Sequence, residues 1–355
     1  MLEAYVQQAL QRARIHPSRA RGQHFLIDDS VLAAILRAAE LDGSELVVEV
    51  GPGLGTLTQS LAARVWRVAA YELDDTLVRY LRNWVLPETK NIELYDVAFN
   101  KYVYEQLLTK HGIAFVSPDA DVLPDELEEP SSVQSPASEE ERSGQQPSVV
   151  RSPQSAEPVG GGVDKADLGP RTSDAARPGP TVAGPPTLKI VTNLPYQISS
   201  AFLHFAVDYV ATYERIVVML QREVAQRVIA QPGDPGYNSF SLYLQTFLAA
   251  RWVCDVPAEA FHPMPRVESA VLHLRPLMPA EQPQPRDRGL YLKLIEGVFR
   301  RRRKQFANAL HQTFGHLSAE QIHTALDASG IPATTRAQDL TMADYVRLAD
   351  TLAAG

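Results

Sequence analysis

Apolar residues along this chain fall into short runs that alternate with helical spacings. Leu46 to Val50 is an apolar run broken only by Glu49, and Val68 to Tyr71 is a second run that ends in Glu72. Between them Leu57, Leu61 and Val65 recur four residues apart, the spacing of one helix face. Gly51-Pro52-Gly53-Leu54-Gly55 joins the first run to that helix. The order is strand, glycine turn, helix, strand, acid, a βαβ unit suited to a nucleoside. Ahead of it, Val31 to Leu36 predicts a helix with Asp28, Asp29 or Ser30 as N-cap and Asp42-Gly43 as its end. Behind it, Thr76 to Val85 predicts a helix, Asn91 to Tyr95 a third strand, and Asn100 to His111 another helix.

Periodicity then stops. Val116 to Pro186 holds 12 of the 26 prolines and no aromatic residue, so it cannot bury enough surface to offset its ordering entropy. It reads as a disordered insertion, 116–186, in a loop of the catalytic part, tolerable because loop closure costs rise slowly with length. Order resumes with a strand at Leu188 to Thr192. A strand at Ile216 to Leu220 follows, with Gln221-Arg222-Glu223 opening a helix. Asn238 to Ala250 predicts one helix, Trp252 to Val256 a strand, and Ala270 to Leu274 its hairpin partner and the last strand. Cys254 reads as core packing. From Asp287 the pattern is helical: Leu292, Ile295, Val298 and Phe299 form a stripe that runs into Arg300-Arg301-Arg302-Arg303-Lys304, placed on a helix ahead of Phe306 and Leu310. Ser318 with Gln321 and Thr341 with Asp344 are capping-box pairs. The expected fold is α/β: a doubly wound sheet over residues 1–280 and a small helical domain over 285–355.

Composition narrows the class. The 355 residues are 45% hydrophobic, enough for two cores, and a single cysteine leaves neither a disulfide framework nor a thiolate metal site. No apolar run approaches the roughly 18 residues of a membrane span, and no signal-peptide pattern opens the chain, so a cytoplasmic protein is expected. The net charge of −8 misleads. Of 42 acidic and 34 basic residues, 13 and 5 lie between Ile113 and Thr187, leaving 29 of each elsewhere. The acidic balance therefore does not exclude a nucleic-acid partner. Arg12, Arg14, Arg19 and Arg21 stand in a leading segment with few apolar anchors, either a solvated tail or short helix or a basic arm near phosphates.

Candidate chemistry follows from the turns. Gly51, Gly53 and Gly55 let a ligand approach bare backbone, and Glu72 can accept both hydroxyls of a ribose. Asp96, at the carboxyl end of the third strand, is a candidate for the base of that nucleoside, or else the N-cap of the next helix. Asn193-Leu194-Pro195-Tyr196 is the second site. An adenine amine is a poor nucleophile because its lone pair is delocalised. The amide oxygen of Asn193 and the carbonyl of Leu194, aimed at its two hydrogens, favour the more pyramidal amine of the transition state. Pro195 stiffens the turn, and Tyr196 can stack on a base taken out of its helix. His262, beside Pro263, reads as a loop residue rather than an acid–base group.

RGQHFLID, EVGPGLGTLT, NLPYQISS, MLQREVAQRV, FHPMPRVESAV and RRRKQFANAL together resemble the small-subunit ribosomal RNA adenine dimethyltransferases. The resemblance covers about 20–112 and 188 onward and implies a Rossmann-like methyltransferase fold. It also implies S-adenosylmethionine held by His24, Leu26, Gly51, Gly53, Glu72, Asp96 and Asn193, with Tyr196 and Phe261 around a flipped adenine. His24 stands where the family often has asparagine, and YDVAF replaces the family's glycine-aspartate-alanine-leucine around Asp96. No metal is expected. Two methyl groups on each of two adjacent adenosines, near the 3′ end of small-subunit rRNA in the immature subunit, is the implied reaction. Phosphates would meet Arg222, Arg300, Arg301, Arg302, Arg303 and Lys304, and the protein would act as a monomer. Alternatives are a large-subunit rRNA methyltransferase of the macrolide-resistance type, a non-catalytic RNA-binding assembly factor, and, least, a nicotinamide dehydrogenase.

Overall fold

The structure is a computed structural model, and it describes residues 1–18, 22–117, 185–302 and 304–354. In chain order the helices and strands are α1 (Leu2–Ala13), β1 (Phe25–Leu26), α2 (Asp29–Ala39), β2 (Leu46–Val50), α3 (Thr56–Ala62), β3 (Arg67–Glu72), α4 (Asp75–Tyr80), β4 (Ile92–Asp96) and α5 (Lys101–Lys110). Then come β5 (Leu188–Asn193), α6 (Ser199–Asp208), β6 (Arg215–Gln221), α7 (Arg222–Ile229), α8 (Ser239–Phe247), β7 (Leu248–Val256), β8 (Phe261–His262) and β9 (Ser269–Pro276). Four helices close the chain: α9 (Arg288–Phe299), α10 (Phe306–Thr313), α11 (Ala319–Ala328) and α12 (Met342–Ala354).

Seven strands form one sheet in the order β4-β3-β2-β5-β6-β9-β7. The first five are parallel, and β9 runs antiparallel to both β6 and β7. The order reverses between β2 and β5, the switch point at which open α/β sheets bind ligands. All five residues of β2 are buried, as expected of a strand covered on both faces. Alternate residues feed two cores. Leu46, Val48 and Val50 join Tyr104, Leu107, Phe202 and Leu203 on one face, while Val47, Val68 and Val191 meet Ile35 of α2 and Leu57 and Leu61 of α3 on the other. A third core belongs to the C-terminal helices and takes in Ala230, Tyr237 and Leu242 from before residue 280.

Local chemistry sets the element ends. Asp28 caps α2 by accepting from the Ser30 and Val31 amides, and both capping-box pairs, Ser318 with Gln321 and Thr341 with Asp344, form reciprocally. Three expectations are corrected. The helix predicted to reach Ala250 stops at Phe247, because Leu248 to Ala250 pair with Pro276 to Leu274 of β9; a pairing partner that distant in sequence outweighs local helical spacing. Of the basic run, Arg301, Arg302 and Lys304 lie beyond α9 in tight turns, their amides bonded three residues back; a continued helix would stack Arg300 on Lys304 one turn away, a like-charge pair that disfavours it. The leading segment does have apolar anchors, since Val6, Ala9 and Leu10 of α1 are buried in one core with Leu54, Leu77 and Leu81, and Leu2 joins the core that holds Val31 and Ile35 of α2. Residues 118–184 of the predicted insertion, 116–186, lie outside the described residues, as do Arg19 and Arg21.

Candidate cofactor and adenine site

The carboxyl ends of β2, β3, β4 and β5 open on a cavity of about 590 Å³. Its wall is assembled from Gly22 to Leu26, Glu49 to Gly53, Tyr71 to Asp74, Val97 to Phe99, Asn193 to Ile198, and Phe261. His24, Leu26, Gly51, Gly53, Glu72, Asn193, Leu194, Pro195, Tyr196 and Phe261 therefore meet in one chamber, although up to 237 positions separate them in sequence.

The glycine turn is shaped by its neighbours. Gly51 and Gly53 have φ of 72° and 59°, in the left-handed region. A Cβ at Gly51 would sit 3.1 Å from the Pro195 ring, and one at Gly53 would sit 3.1 Å from the Phe25 ring. The turn thus brings bare backbone against both other motifs. Thr192 ties β5 to β2 by donating to the Val50 carbonyl at 2.7 Å, which fixes where Asn193 emerges.

Glu72, only 7% exposed, accepts from the amides of Gly53 at 3.1 Å and of Leu73 and Asp74 at 2.9 Å. Burial raises its pKa above the usual value, against the opposing pull of those three N–H groups. Asp74 caps α4 and also accepts from the Gln23 side-chain amide at 3.0 Å, so the Gly22 to Leu26 segment is tied to the Glu72 side of the cavity.

On the other side, the Tyr196 hydroxyl is 2.6 Å from that of Ser269, itself fully buried. The His24 ring stacks on Tyr196 with centroids 6.2 Å apart, and its Nδ1 donates to the Pro263 carbonyl at 2.6 Å. Strands β1 and β8 pair Phe25 with His262 and Leu26 with Phe261. His262 is exposed but lies on β8, paired with Phe25, and not in the loop expected of it. The GQHFL, NLPY and FHPMP segments thus form a single wall.

Asp96 stands apart. It is exposed, pairs with Arg82 at 3.3 Å, and does not line the cavity, whereas Val97, Ala98 and Phe99 do. It is not the N-cap of α5 either, since Asn100 fills that place. Among the basic residues, Arg222 bonds Glu268 at 2.6 Å and lies 3.5 Å from Asp255. Arg300 pairs with Glu296. Arg301 is half-buried, Arg302 and Lys304 are exposed, and Arg303 lies outside the described residues.

Glu49 also stands at this cavity, outside the residues expected there from the sequence. It is 2% exposed and lines the cavity, and its Oε2 has no hydrogen-bond partner among the described residues. Burial, with the nearby Glu72 charge adding to it, pushes its pKa up to about 8. Its signal in the sequence was an acid inside an otherwise apolar central strand. An orphaned buried acceptor beside a glycine turn fits a ligand that brings its own donor, and the α-ammonium of a bound S-adenosylmethionine is such a donor.

The sequence pattern of the ribosomal RNA adenine dimethylase family matches residues 17–128 and 172–354. The chain belongs to that family. It is accordingly a methyltransferase of the rRNA adenine dimethyltransferase type, not a dehydrogenase. Ribosomal RNA small subunit methyltransferase A of Ligilactobacillus salivarius is 31% identical over 338 residues, spanning 94% of this chain and 89% of that one. The protein of the same designation from Acidothermus cellulolyticus is 31% identical over 349 residues, spanning 98% and 92%. A dimethyladenosine transferase from Plasmodium falciparum has the same fold, with a TM-score of 0.58 at 18% identity over 92% of this chain and 96% of that one. The 23S rRNA methyltransferase ErmE gives 0.56 at 21% identity over 93% and 99%. The Rossmann-like methyltransferase architecture expected of the family is therefore present. No described helix is long and apolar enough to cross a membrane, and no group of three described His, Cys, Asp or Glu residues is placed to hold a metal.

Proposed function

We propose that this chain uses S-adenosylmethionine to dimethylate the exocyclic amines of two adjacent adenosines near the 3′ end of small-subunit rRNA, in the immature subunit, as a cytoplasmic monomer. The observation that carries the reading is the meeting of the glycine turn, Glu72 and the Asn193–Tyr196 turn in one chamber. The names of its relatives support the small subunit as target. The bound cofactor would supply a sulfonium-activated methyl group, a leaving group already charged, so no metal is called for. Glu72 would accept the ribose hydroxyls, and Glu49 the ammonium. The Asn193 amide oxygen and the Leu194 carbonyl would accept the hydrogens of the target amine, while Tyr196 and Phe261 hold its ring. Rate enhancement would come from positioning and exclusion of water.

Residues 285–355 would form the RNA-binding part, with Arg300 to Lys304 against phosphates and Arg222 reaching RNA from its pairs with Glu268 and Asp255. Asp96 would serve the cofactor's adenine only if its pair with Arg82 opens.

Two outcomes follow. With its pKa pushed up to about 8, Glu49 keeps a proton that an unfolded glutamate, near 4.5, would lose. Its contribution to stability is complete below the unfolded value and is lost as pH rises through 8. A cofactor ammonium favours the carboxylate, so binding expels that proton. S-adenosylhomocysteine should bind more tightly as pH rises from about 6 to about 7.5, by at most about tenfold per unit, and Glu49→Gln should flatten the slope; titration calorimetry in buffers of different ionisation enthalpy reads both affinity and proton release. The family pattern leaves residues 129–171 unmatched, which supports their being dispensable. Replacing residues 118–184 by a short glycine-serine linker should keep cofactor affinity and methyl transfer within about threefold; a folded deletion that no longer binds cofactor would refute it.

Tritiated methyl transfer, with small subunits, large subunits and naked rRNA in parallel, tests the proposal. Label on small subunits is expected. Label on large subunits would assign the chain to the resistance type, and bound cofactor with no transfer would make it an assembly factor.

A further inference from the structure

Helix α1 lies ahead of the residues matched by the family pattern, which begin at 17, yet it packs directly behind the glycine turn. Val6, Ala9 and Leu10 share an apolar core with Phe25, Leu54, Leu77, Leu81 and Val85. Gly55 closes on the same wall, since a Cβ there would stand 3.1 Å from Leu81 and from Val85. Arg12 adds a contact further out, its guanidinium 4.5 Å from the Trp84 ring.

The polar contacts are more specific. The Tyr5 hydroxyl donates to the Leu54 carbonyl at 2.9 Å, inside the glycine turn. The Gln59 side-chain amide donates to Tyr5 at 2.7 Å and to the Gly55 carbonyl at 3.2 Å. A hydroxyl has one proton, so with that proton on Leu54, the 3.2 Å contact to Tyr80 requires Tyr80 to donate. Two consecutive carbonyls of the turn, Leu54 and Gly55, are thus held from behind by one Tyr5–Gln59 pair. The cavity face of the same turn is Gly51 to Gly53. A turn with three glycines has many conformations open to it in their absence, so holding two of its carbonyls restricts the face that meets a ligand.

We infer that Tyr5 is a positioning residue for the glycine turn, and that α1 through it sets cofactor affinity. The inference rests on the cavity being the cofactor site. It concerns no group that touches reacting atoms, so the effect falls on binding and not on the transfer step. Preorganisation of this kind lowers the ordering cost of binding.

The test is Tyr5→Phe, which keeps the ring in its apolar contacts and removes only the hydroxyl, with Gln59→Leu as an independent removal of the partner. One neutral hydrogen bond corresponds to roughly three- to tenfold in affinity. The dissociation constant for S-adenosylhomocysteine and the KM for S-adenosylmethionine should each rise by about that factor in both variants. kcat on small subunits should stay within about twofold. Thermal unfolding without ligand is followed alongside. A lowered Tm with unchanged Kd and KM would make Tyr5 a packing residue only and overturn the inference. An unmodified chain that fails to bind S-adenosylhomocysteine would overturn the cofactor reading itself, and this inference with it.

Discussion

Replacing Asn193 with alanine is expected to slow methyl transfer by about a hundred- to a thousandfold, the range seen when one preorganised polar group is removed from a transition state. Asn193 ends β5 beside the switch point, and its emergence is fixed by the Thr192 bond to Val50 and by the pairing with Met219 on β6. An amide oxygen held there gains strength as the adenine amine becomes pyramidal and its hydrogens more positive. The free cofactor makes no such demand, so its Kd should stay within about threefold, and the loss should fall on kcat. Single-turnover transfer with titration of S-adenosylhomocysteine separates the two. A large loss of cofactor affinity with normal saturated turnover would make Asn193 a cofactor ligand first.

Glu72→Ala should have the opposite signature. Its carboxylate is almost wholly buried and is oriented by the amides of Gly53, Leu73 and Asp74. Truncation would leave those three donors, and the two ribose hydroxyls expected there, without an acceptor. Sites built to pair a buried hydroxyl lose several kcal/mol when the pairing fails. Cofactor affinity should fall about a hundredfold or more by calorimetry, while Glu72→Gln, which keeps an acceptor oxygen, should recover part of it. An alanine variant that remains folded and binds within a few-fold of the unmodified chain would remove Glu72 from the ribose site.

The parts of this site that could be read from sequence are those set by local backbone chemistry. Gly51 and Gly53 announce a left-handed turn, the apolar run at Leu46 to Val50 announces a strand covered on both faces, and Glu72 follows its strand as the βαβ pattern requires. Side-chain direction was not legible in the same way. Asp96 is in register with Glu72 on the adjacent strand, but β4 is the sheet edge and its carboxylate turns toward Arg82, contributed by the π-helical turn of Leu81–Val85. Glu49 lies within a buried strand, and only the assembled sheet reveals that it reaches the chamber, beside Thr56 and Leu57 of α3.

Elsewhere long-range pairing decided what local spacing left open. Leu248 to Ala250 continue the apolar pattern of α8 and still go to β7, because β9 offers them a ladder. In the leading segment Leu2, Val6, Ala9 and Leu10 carry helical spacing among the arginines, and that face is the buried one. The bond from Tyr5 to Leu54 spans 49 residues and leaves no local trace.

The most direct test of the central claim is the identity and position of the modified nucleoside. Immature small subunits are incubated with the chain and S-adenosylmethionine, the rRNA is digested, and the nucleosides and the oligonucleotides that carry them are weighed by mass spectrometry. The account predicts N6,N6-dimethyladenosine at two adjacent positions near the 3′ end, absent when Asn193→Ala replaces the unmodified chain. Monomethyladenosine alone, a methylated base other than adenine, or dimethyladenosine confined to large-subunit rRNA would contradict it.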